Sequence, residues 1–167
     1  DGNLVWQRDT GPNPYLSSMP SPLLVGRTLV YYRHWQAFPY RREWWLACGL
    51  IEAVDSHTGQ LLWRAPGRSS HFVAGSLAHV RSGETDLVVT GGGQVLRLTN
   101  GEDLGMDLGL MLSGSTPLAQ GSTLYYAKKI EGKHTAMAIA AVRIEKDDKD
   151  GWRAVPLWQQ KDRKTHV

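Results

Sequence analysis

Two sets of residues in this sequence have types that could bind a metal ion. Asp147, Asp148 and Asp150 lie close together, as carboxylates do in a calcium loop. Their spacing lacks the glycine and the distal bidentate glutamate of an EF-hand, so a solvated hairpin tip is favoured. The six histidines include no pair two to four residues apart on one strand face, which a zinc site would need; they are His34, His57, His71, His79, His134 and His166. We therefore predict no metal site.

Residues suited to nucleophilic or phosphate chemistry also lack the pattern that such chemistry needs. Gly91-Gly92-Gly93 is followed by no Lys-Ser pair and no helical pattern, so it predicts a tight turn and not a phosphate loop. Ser113-Gly114-Ser115 has the small residues of a nucleophile elbow without the flanking pattern. The single cysteine, Cys48, stands in an apolar run and is predicted to be a buried thiol. We assign no catalytic residue.

The residues best suited to binding are concentrated in one segment, 33–45. Three kinds of side chain common at binding hot spots occur there, namely tryptophan, other aromatic residues and arginine; they are Trp35, Trp44, Trp45, Phe38, Tyr40, Arg33, Arg41 and Arg42. We predict that Trp35, Tyr40, Arg41 and Arg42 contact a partner. Trp44 and Trp45 are predicted to anchor the base of the segment, and they could equally begin the next strand and fill local core.

Composition and charge exclude two function classes. Hydrophobic residues make up 41% and charged residues 21%, which is ordinary globular usage. The net charge of +3 is not gathered on one predicted face, so nucleic-acid binding is not predicted. The longest apolar stretch, residues 136–142, is too short to cross a bilayer, so no membrane span is predicted.

The elements that must position these residues are predicted to be strands. The 18 glycines fall between short runs rich in Val, Leu, Thr and Tyr, which is typical of strands joined by tight turns. Apolar residues at helical spacing do not extend over a dozen positions without an intervening Gly or Pro. The fold class is therefore predicted to be all-β.

An internal repeat organises the strands. Residues 21–31 align without a gap with residues 116–126, each copy beginning Ser/Thr-Pro-Leu and containing a Gly before the second strand, and a weaker copy starts near Gly75. Each copy continues into a second hairpin whose turn contains glycine; these turns are Asp55–Gly59, Asn100-Gly101 and Asp150-Gly151. Three copies of a four-stranded unit are predicted.

Tryptophans follow these turns at a fixed distance. Trp6 follows Gly2 and Trp63 follows Gly59 by four residues, whereas Gly105 occupies that place after Gly101. In the last copy the equivalent residue is predicted to be Trp158. The shortest interval between these markers is close to the roughly 40–45 residues of a four-stranded propeller repeat. Trp6, Trp63 and Trp158, with Gly59 and Gly101, are therefore predicted to dock neighbouring blades of a β-propeller.

At the Asp55–Gly59 turn the sequence resembles a known family. Residues 53–63, which read AVDSHTGQLLW, resemble the "A-x-D-x-x-T-G-x-x-x-W" signature of the pyrroloquinoline-quinone (PQQ)-like propeller repeat. This bacterial family includes quinoprotein alcohol dehydrogenases and the propeller lipoprotein of the outer-membrane barrel-assembly machinery. Residues 1–6 repeat the second half of the signature, and residues 91–98 resemble the start of the family's third strand. The resemblance implies a β-propeller and a periplasmic or cell-surface location.

The repeat divides one propeller domain, 1–167, into blades. We predict a blade end at 1–8, blades at 9–65, 66–108 and 109–160, and a tail or the start of another blade at 161–167. Propellers close with about four to eight blades. We therefore expect this chain to be a segment of a longer propeller, or to associate with other chains that complete the ring.

The resemblance is compatible with two functions. In the quinoprotein dehydrogenases, PQQ lies between a tryptophan and a disulfide of adjacent cysteines, beside a calcium ion. Cys48 is the only cysteine, so that clamp cannot form within this chain. The favoured function is a non-enzymatic scaffold that binds a protein or polymer and needs no cofactor. The alternative is a segment of a PQQ-dependent alcohol or sugar dehydrogenase whose active site, with PQQ and calcium, lies outside this chain.

Overall fold

The fold consists of three antiparallel sheets. The computed structural model describes residues 3–8, 20–34, 49–67, 75–108, 116–129, 137–147 and 151–161. These residues contain twelve strands and no helix: β1 Leu23–Val25, β2 Thr28–His34, β3 Gly49–Asp55, β4 Leu61–Pro66, β5 Ala78–Ser82, β6 Thr85–Val89, β7 Gln94–Arg97, β8 Asp103–Asp107, β9 Leu118–Gln120, β10 Thr123–Lys129, β11 Met137–Lys146 and β12 Trp152–Lys161. The first sheet is β1–β4, the second β5–β8 and the third β9–β12, each with its strands in chain order. The prediction of four-stranded antiparallel units in an all-β chain is confirmed.

The gap-free alignment of residues 21–31 with 116–126 corresponds to one hairpin built twice. Leu23 pairs with Val30 in the first sheet, and Leu118 pairs with Tyr125 in the third. The turn of the first hairpin contains Gly26 at φ 56°, a backbone conformation that glycine adopts without steric cost. The same turn chemistry therefore fixes the same register in both sheets.

The second sheet is packed between the other two. Alternate side chains of its strands point to opposite faces, and both faces are covered, which explains apolar runs such as Leu87–Val89. One cluster joins the second sheet to the third and includes Val80, Leu87, Val89, Val95, Leu124, Val142 and Ile144. The other joins it to the first and includes Val30, Ile51, Trp63, Leu77, Val88 and Leu96. The two clusters make one stack of three sheets.

The two ends of the strands differ in how they are connected. At one end, which we call the turn edge, short turns close the hairpins, and Arg81 N–H donates to the Gly121 carbonyl of the next sheet at 2.9 Å. The other end, which we call the connector edge, is where segments 35–48, 68–74, 109–115 and 130–136 leave and rejoin the strands. At this edge Ser21 N–H donates to Ser76 Oγ at 3.0 Å, and Ser76 N–H donates to Thr116 Oγ1 at 3.1 Å. Equivalent residues of successive sheets are thereby linked.

Some strand limits differ from those expected from the sequence. The predicted binding segment 33–45 begins inside a strand, because β2 continues to His34, which pairs with Gly49. Arg33 therefore belongs to a strand and not to the connector, because its backbone pairs with Leu50 and its side chain reaches a carboxylate in β3. The limits of the blades within the connectors stay predictions, since residues 9–19, 68–74 and 109–115 lie outside the described part.

Candidate functional site

A buried carboxylate in the middle of β3 lies among three arginines. The Glu52 side chain is fully buried. Its Oε1 accepts hydrogen bonds from Arg64 Nε at 2.7 Å and from Arg33 Nη1 at 3.1 Å. Its Oε2 accepts from the Tyr31 hydroxyl at 2.8 Å and lies 3.7 Å from Arg8 Nε. Within the described residues, three guanidinium groups thus surround one carboxylate.

Strand pairing explains how this cluster forms. Tyr31, Glu52 and Arg64 are directly opposite one another on β2, β3 and β4, so their side chains share one face of the first sheet. Arg33 lies two residues further along β2 and therefore points to the same face. Sequence reasoning missed Glu52. The available signal was a single acidic residue inside the otherwise apolar run of residues 50–54.

The partners of Glu52 set its protonation. Burial raises the pKa of Glu52, but hydrogen bonds from Tyr31, Arg33 and Arg64 lower it by more, so the pKa lies below its ordinary value of 4.5. A carboxylate whose pKa is lowered by folding stabilises the fold above its unfolded-state pKa, and this contribution is lost as the pH falls through the folded pKa.

We therefore expect the stability gap between the wild-type protein and Glu52→Gln to depend on pH. The gap should be largest near neutral pH and should shrink as the pH falls from about 4 towards the lowered pKa of Glu52, because the carboxylate becomes protonated over this range and then carries no more charge than the glutamine. Urea unfolding at a series of pH values measures it. A gap that is constant from about pH 7 to about pH 3 would contradict the ion-pair account.

A second polar cluster fixes the turn between β6 and β7 to the first sheet. The hydroxyl of buried Tyr32 accepts the Gly91 N–H at 3.0 Å, and burial raises the pKa of Tyr32 to about 12. A Cβ atom placed on Gly91 would lie 2.6 Å from the Gly75 carbonyl oxygen, so only glycine permits this approach. Gln94 Nε2 donates to the Pro66 carbonyl at 3.0 Å. The glycine-rich run thus forms a packed turn.

The predicted docking tryptophans Trp6 and Trp63 have nearly the same geometry. Trp63 is 7% exposed, and its Nε1 donates to the Leu98 carbonyl of the second sheet at 2.7 Å. A Cβ atom on Gly101 would lie 2.5 Å from the Trp63 ring. Trp6 Nε1 likewise donates to the Ser56 carbonyl at 2.8 Å, and a Cβ on Gly59 would lie 2.8 Å from that ring. In each case a ring lies against a glycine of the next hairpin turn.

The junction between the second and third sheets has a different construction. Gly105 provides no side chain where the first sheet has Trp63. In the third sheet, the Asp147 carboxylate accepts the Gly151 N–H at 2.8 Å and holds the end of the hairpin at the predicted Asp150-Gly151 turn. Trp152 packs against the shared core of this junction instead.

Trp158 has no sheet against its ring within the described residues. It pairs with Ala141 across β11 and β12, just as Trp63 pairs with Ala53 across β3 and β4. The side chain is 48% exposed, and its ring centroid lies 6.3 Å from that of Tyr125 on its own sheet. The structure therefore places Trp158 on an open face.

The predicted partner-binding residues lie outside the described part of the chain. Trp35, Tyr40, Arg41 and Arg42 are all in the segment 35–48, as are Trp44, Trp45 and Cys48. The structure describes the two residues that flank this segment, His34 and Gly49, which are paired at the connector edge.

The described residues offer no donor set for the metal of a quinoprotein. No group of three or more His, Cys, Asp or Glu side chains is placed there to hold a metal ion. His79 Nε2 lies 2.8 Å from Asp86 Oδ1, and His57 is exposed in a turn. The described side chains therefore do not fit calcium with its quinone. Within the same residues no helix is both long and apolar enough to span a membrane.

Comparison with known proteins identifies the fold. No protein-family model and no curated protein matches the sequence. The chain is similar in structure to a europium-containing methanol dehydrogenase, with 18% identity and a TM-score of 0.52 over 95% of this chain and 27% of that one. It also matches BamB from Moraxella catarrhalis, with 14% identity and a TM-score of 0.40 over 87% of this chain and 49% of that one. The chain thus spans about a quarter of the dehydrogenase and about half of BamB. The predicted PQQ-like propeller resemblance is confirmed at the level of fold: the three sheets are blades of a partial β-propeller.

Proposed function

We propose that this chain is part of a non-enzymatic propeller scaffold that binds a protein or polymer partner at its connector edge, in a bacterial envelope. The observation that supports this most directly is the pairing of His34 with Gly49 at that edge. It attaches both ends of the segment 35–48 to adjacent strands of a packed sheet. Binding residues are commonly found on loops that a rigid scaffold holds in place.

The base of this segment is held by two polar clusters. Arg33, next to His34, is bonded to Glu52, and Tyr32 is bonded to the turn of the second sheet at Gly91. Hydrogen bonds across both faces of β2 therefore restrict the strand from which the segment departs. A restricted base lowers the entropy that the segment must lose on binding.

The residue types at this edge suggest the chemistry of the partner. Arg41 and Arg42 in the segment favour acidic groups, which guanidinium binds in a bidentate manner. Trp35 and Tyr40 favour an apolar or aromatic surface. The partner we propose is therefore a protein or polymer that presents carboxylates beside apolar groups.

The alternative function is that of a dehydrogenase segment. The likeness to a methanol dehydrogenase is the observation that favours it, and it is a likeness of fold. Under this alternative, PQQ and calcium would be held by residues outside this chain. The two functions differ in a measurable way, because only a dehydrogenase would oxidise an alcohol with an added dye as electron acceptor.

Alanine substitution of Trp35, Tyr40, Arg41 and Arg42 together should abolish capture of the partner while leaving the fold intact. The measurement is a pull-down from bacterial envelope extract, in which bound proteins are identified and each interaction is repeated with purified components. The control variant replaces Arg81 and Glu84, exposed residues at the turn edge, and should retain every partner.

Two outcomes would contradict the scaffold proposal. One is a folded quadruple variant that retains all the partners of the wild-type protein. The other is dye-linked alcohol oxidation by the full-length protein reconstituted with PQQ and calcium, which would support the dehydrogenase instead.

A further inference from the structure

The hairpin turn that receives the Trp63 ring contains the one asparagine of this sequence that is followed by glycine. Asn100 precedes Gly101, whereas the asparagines at positions 3 and 13 precede leucine and proline. A backbone nitrogen reaches the carboxamide of a preceding asparagine most easily when it belongs to glycine, because no Cβ hinders the close approach. Asn100 is exposed, so water has access to it. Asn100 is therefore the asparagine of this chain that is chemically best suited to deamidation.

The folded turn holds the Asn100 carboxamide beside the Gly101 amide. Asn100 Oδ1 accepts the Glu102 N–H at 3.1 Å. This bond folds the side chain back across the residue that lies between them, as in an Asx turn. The carbon that would be attacked, Cγ of Asn100, is thereby kept close to the nitrogen that would attack it.

The same turn keeps that nitrogen from reacting. The Gly101 N–H donates to the Arg97 carbonyl at 2.9 Å, and the Arg97 N–H donates to the Glu102 carbonyl at 2.8 Å. An amide nitrogen has to give up its proton before it can attack, and a proton that is bonded to a carbonyl is harder to remove. The reaction therefore requires local opening of the turn.

The Trp63 ring lies against the turn and opposes this opening. A Cβ atom on Gly101 would lie 2.5 Å from the ring, and Trp63 Nε1 donates at 2.7 Å to the carbonyl of Leu98, which belongs to the same turn. The ring is part of the first sheet, and the turn is part of the second. The turn thus opens only when the two sheets separate locally.

We propose that Asn100 is a modification site at which the docking of Trp63 controls spontaneous deamidation, and that the product permanently loosens the junction between the first and second sheets. The Gly101 nitrogen bonds to Cγ of Asn100, the bond from Cγ to the side-chain nitrogen breaks, and the proton from Gly101 leaves with that nitrogen as ammonia. Water then opens the resulting cyclic imide. Hydrolysis at the former side-chain carbonyl gives aspartate, and hydrolysis at the main-chain carbonyl gives isoaspartate. Water is the only co-reactant, and no atom is oxidised or reduced.

Isoaspartate does not fit this turn. It adds one carbon to the main chain between residues 100 and 101, whereas the bonds of Arg97 to Gly101 and Glu102 close the turn at a fixed length. The added carbon has to move Gly101 from the Trp63 ring or pull the Leu98 carbonyl away from the indole N–H. Either movement weakens the contact between the two sheets. Aspartate keeps the length of the main chain and an oxygen that can accept the Glu102 N–H.

Deamidation rates of three folded proteins test the control by Trp63. The wild-type chain, Trp63→Ala and Trp158→Ala are incubated at mildly alkaline pH, and conversion of Asn100 to an acid is followed by mass spectrometry of the tryptic peptide 98–128. Trp63→Ala should react at least about tenfold faster than the wild-type protein, because the turn opens more often without the ring. Trp158→Ala, which removes a tryptophan distant from this turn, should react at the wild-type rate.

The stability of the product tests the second half of the proposal. Protein that carries isoaspartate at position 100 is separated from unreacted protein, and both are unfolded in urea. The isoaspartyl protein should unfold at a lower urea concentration than the unreacted protein. Asn100→Asp is the matched control, because it has the charge of the product without the added carbon, and it should keep the midpoint of the wild-type protein.

Three results would overturn the proposal. They are equal rates in folded Trp63→Ala and wild-type protein, a wild-type rate equal to that of the chain in denaturing urea, and an isoaspartyl protein with an unchanged midpoint. Should Trp63→Ala fail to fold, Trp63→Phe keeps a ring but lacks the N–H that binds the Leu98 carbonyl. That variant should also react faster than the wild-type protein, and a folded Trp63→Phe with the wild-type rate equally overturns the proposal.

Discussion

Replacing Trp63 with alanine should lower the free energy of unfolding by about 3–5 kcal/mol. The side chain is 7% exposed, it packs in the cluster that joins the first and second sheets, and its N–H is bonded to the Leu98 carbonyl. Truncation leaves a cavity at the junction and a buried carbonyl without its donor. The measurement is urea unfolding followed by circular dichroism, which is sensitive to strand content.

Trp158→Ala is the matched control, because it removes the same residue from the same strand position. Its ring is half exposed, and no other sheet among the described residues covers it, so we expect the free energy of unfolding to change by less than about 1 kcal/mol. Equal losses in the two variants would show that Trp63 does not act by joining the sheets.

The glycine beneath Trp63 allows an independent check of the same junction. Gly101→Ala should destabilise the protein more than Gly26→Ala, although both glycines have positive φ. A methyl group on Gly101 would strike the Trp63 ring, whereas nothing lies within 4 Å of the corresponding position on Gly26. The difference between the variants isolates the ring contact from backbone strain.

Glu52→Gln should cost about 2–3 kcal/mol at neutral pH. The substitution keeps the size of the side chain but removes the charge that Arg33 and Arg64 are bonded to. The cost lies at the lower end of the range for buried pairs, because Arg64 is 44% exposed and can be rehydrated. Urea unfolding of the variant at neutral pH measures it.

Glu145→Gln provides the comparison for this substitution. Glu145 also accepts bonds from two arginines, Arg143 and Arg153, and these bonds lower the pKa of Glu145. Because this group is partly exposed at the surface of the third sheet, its loss should lower the free energy of unfolding by much less than the loss of Glu52. If the two variants lose equal amounts of unfolding free energy, the burial of Glu52 does not strengthen its ion pairs.

The parts of the fold that were predictable are those encoded by local sequence. Turn glycines and the repeated Ser/Thr-Pro-Leu segment define hairpins within about a dozen residues, and neighbouring copies then fix the three sheets. The strand position of Trp158 opposite Ala141 follows from the same periodicity.

The parts that were not predictable depend on contacts between distant residues. Glu52 takes its partners from β2, β4 and the segment 3–8, and no single stretch of sequence brings these residues together. The bond from the Gly151 N–H to the Asp147 carboxylate is a further example, because spacing alone does not reveal such a bond.

The hydrogen bonds from Ser21 to Ser76 and from Ser76 to Thr116 give the assembly a polarity. At this position each repeat donates its amide to the following repeat, and Ser76 also accepts, through its hydroxyl, from the repeat before it. The link between two repeats therefore has a donor side and an acceptor side, and Ser76 carries both of them. A gene duplication that inserted one more repeat would supply a donor and an acceptor together and would leave the hydrogen bonds of the neighbouring repeats unchanged. The number of repeats could therefore change in evolution without any new interface having to arise.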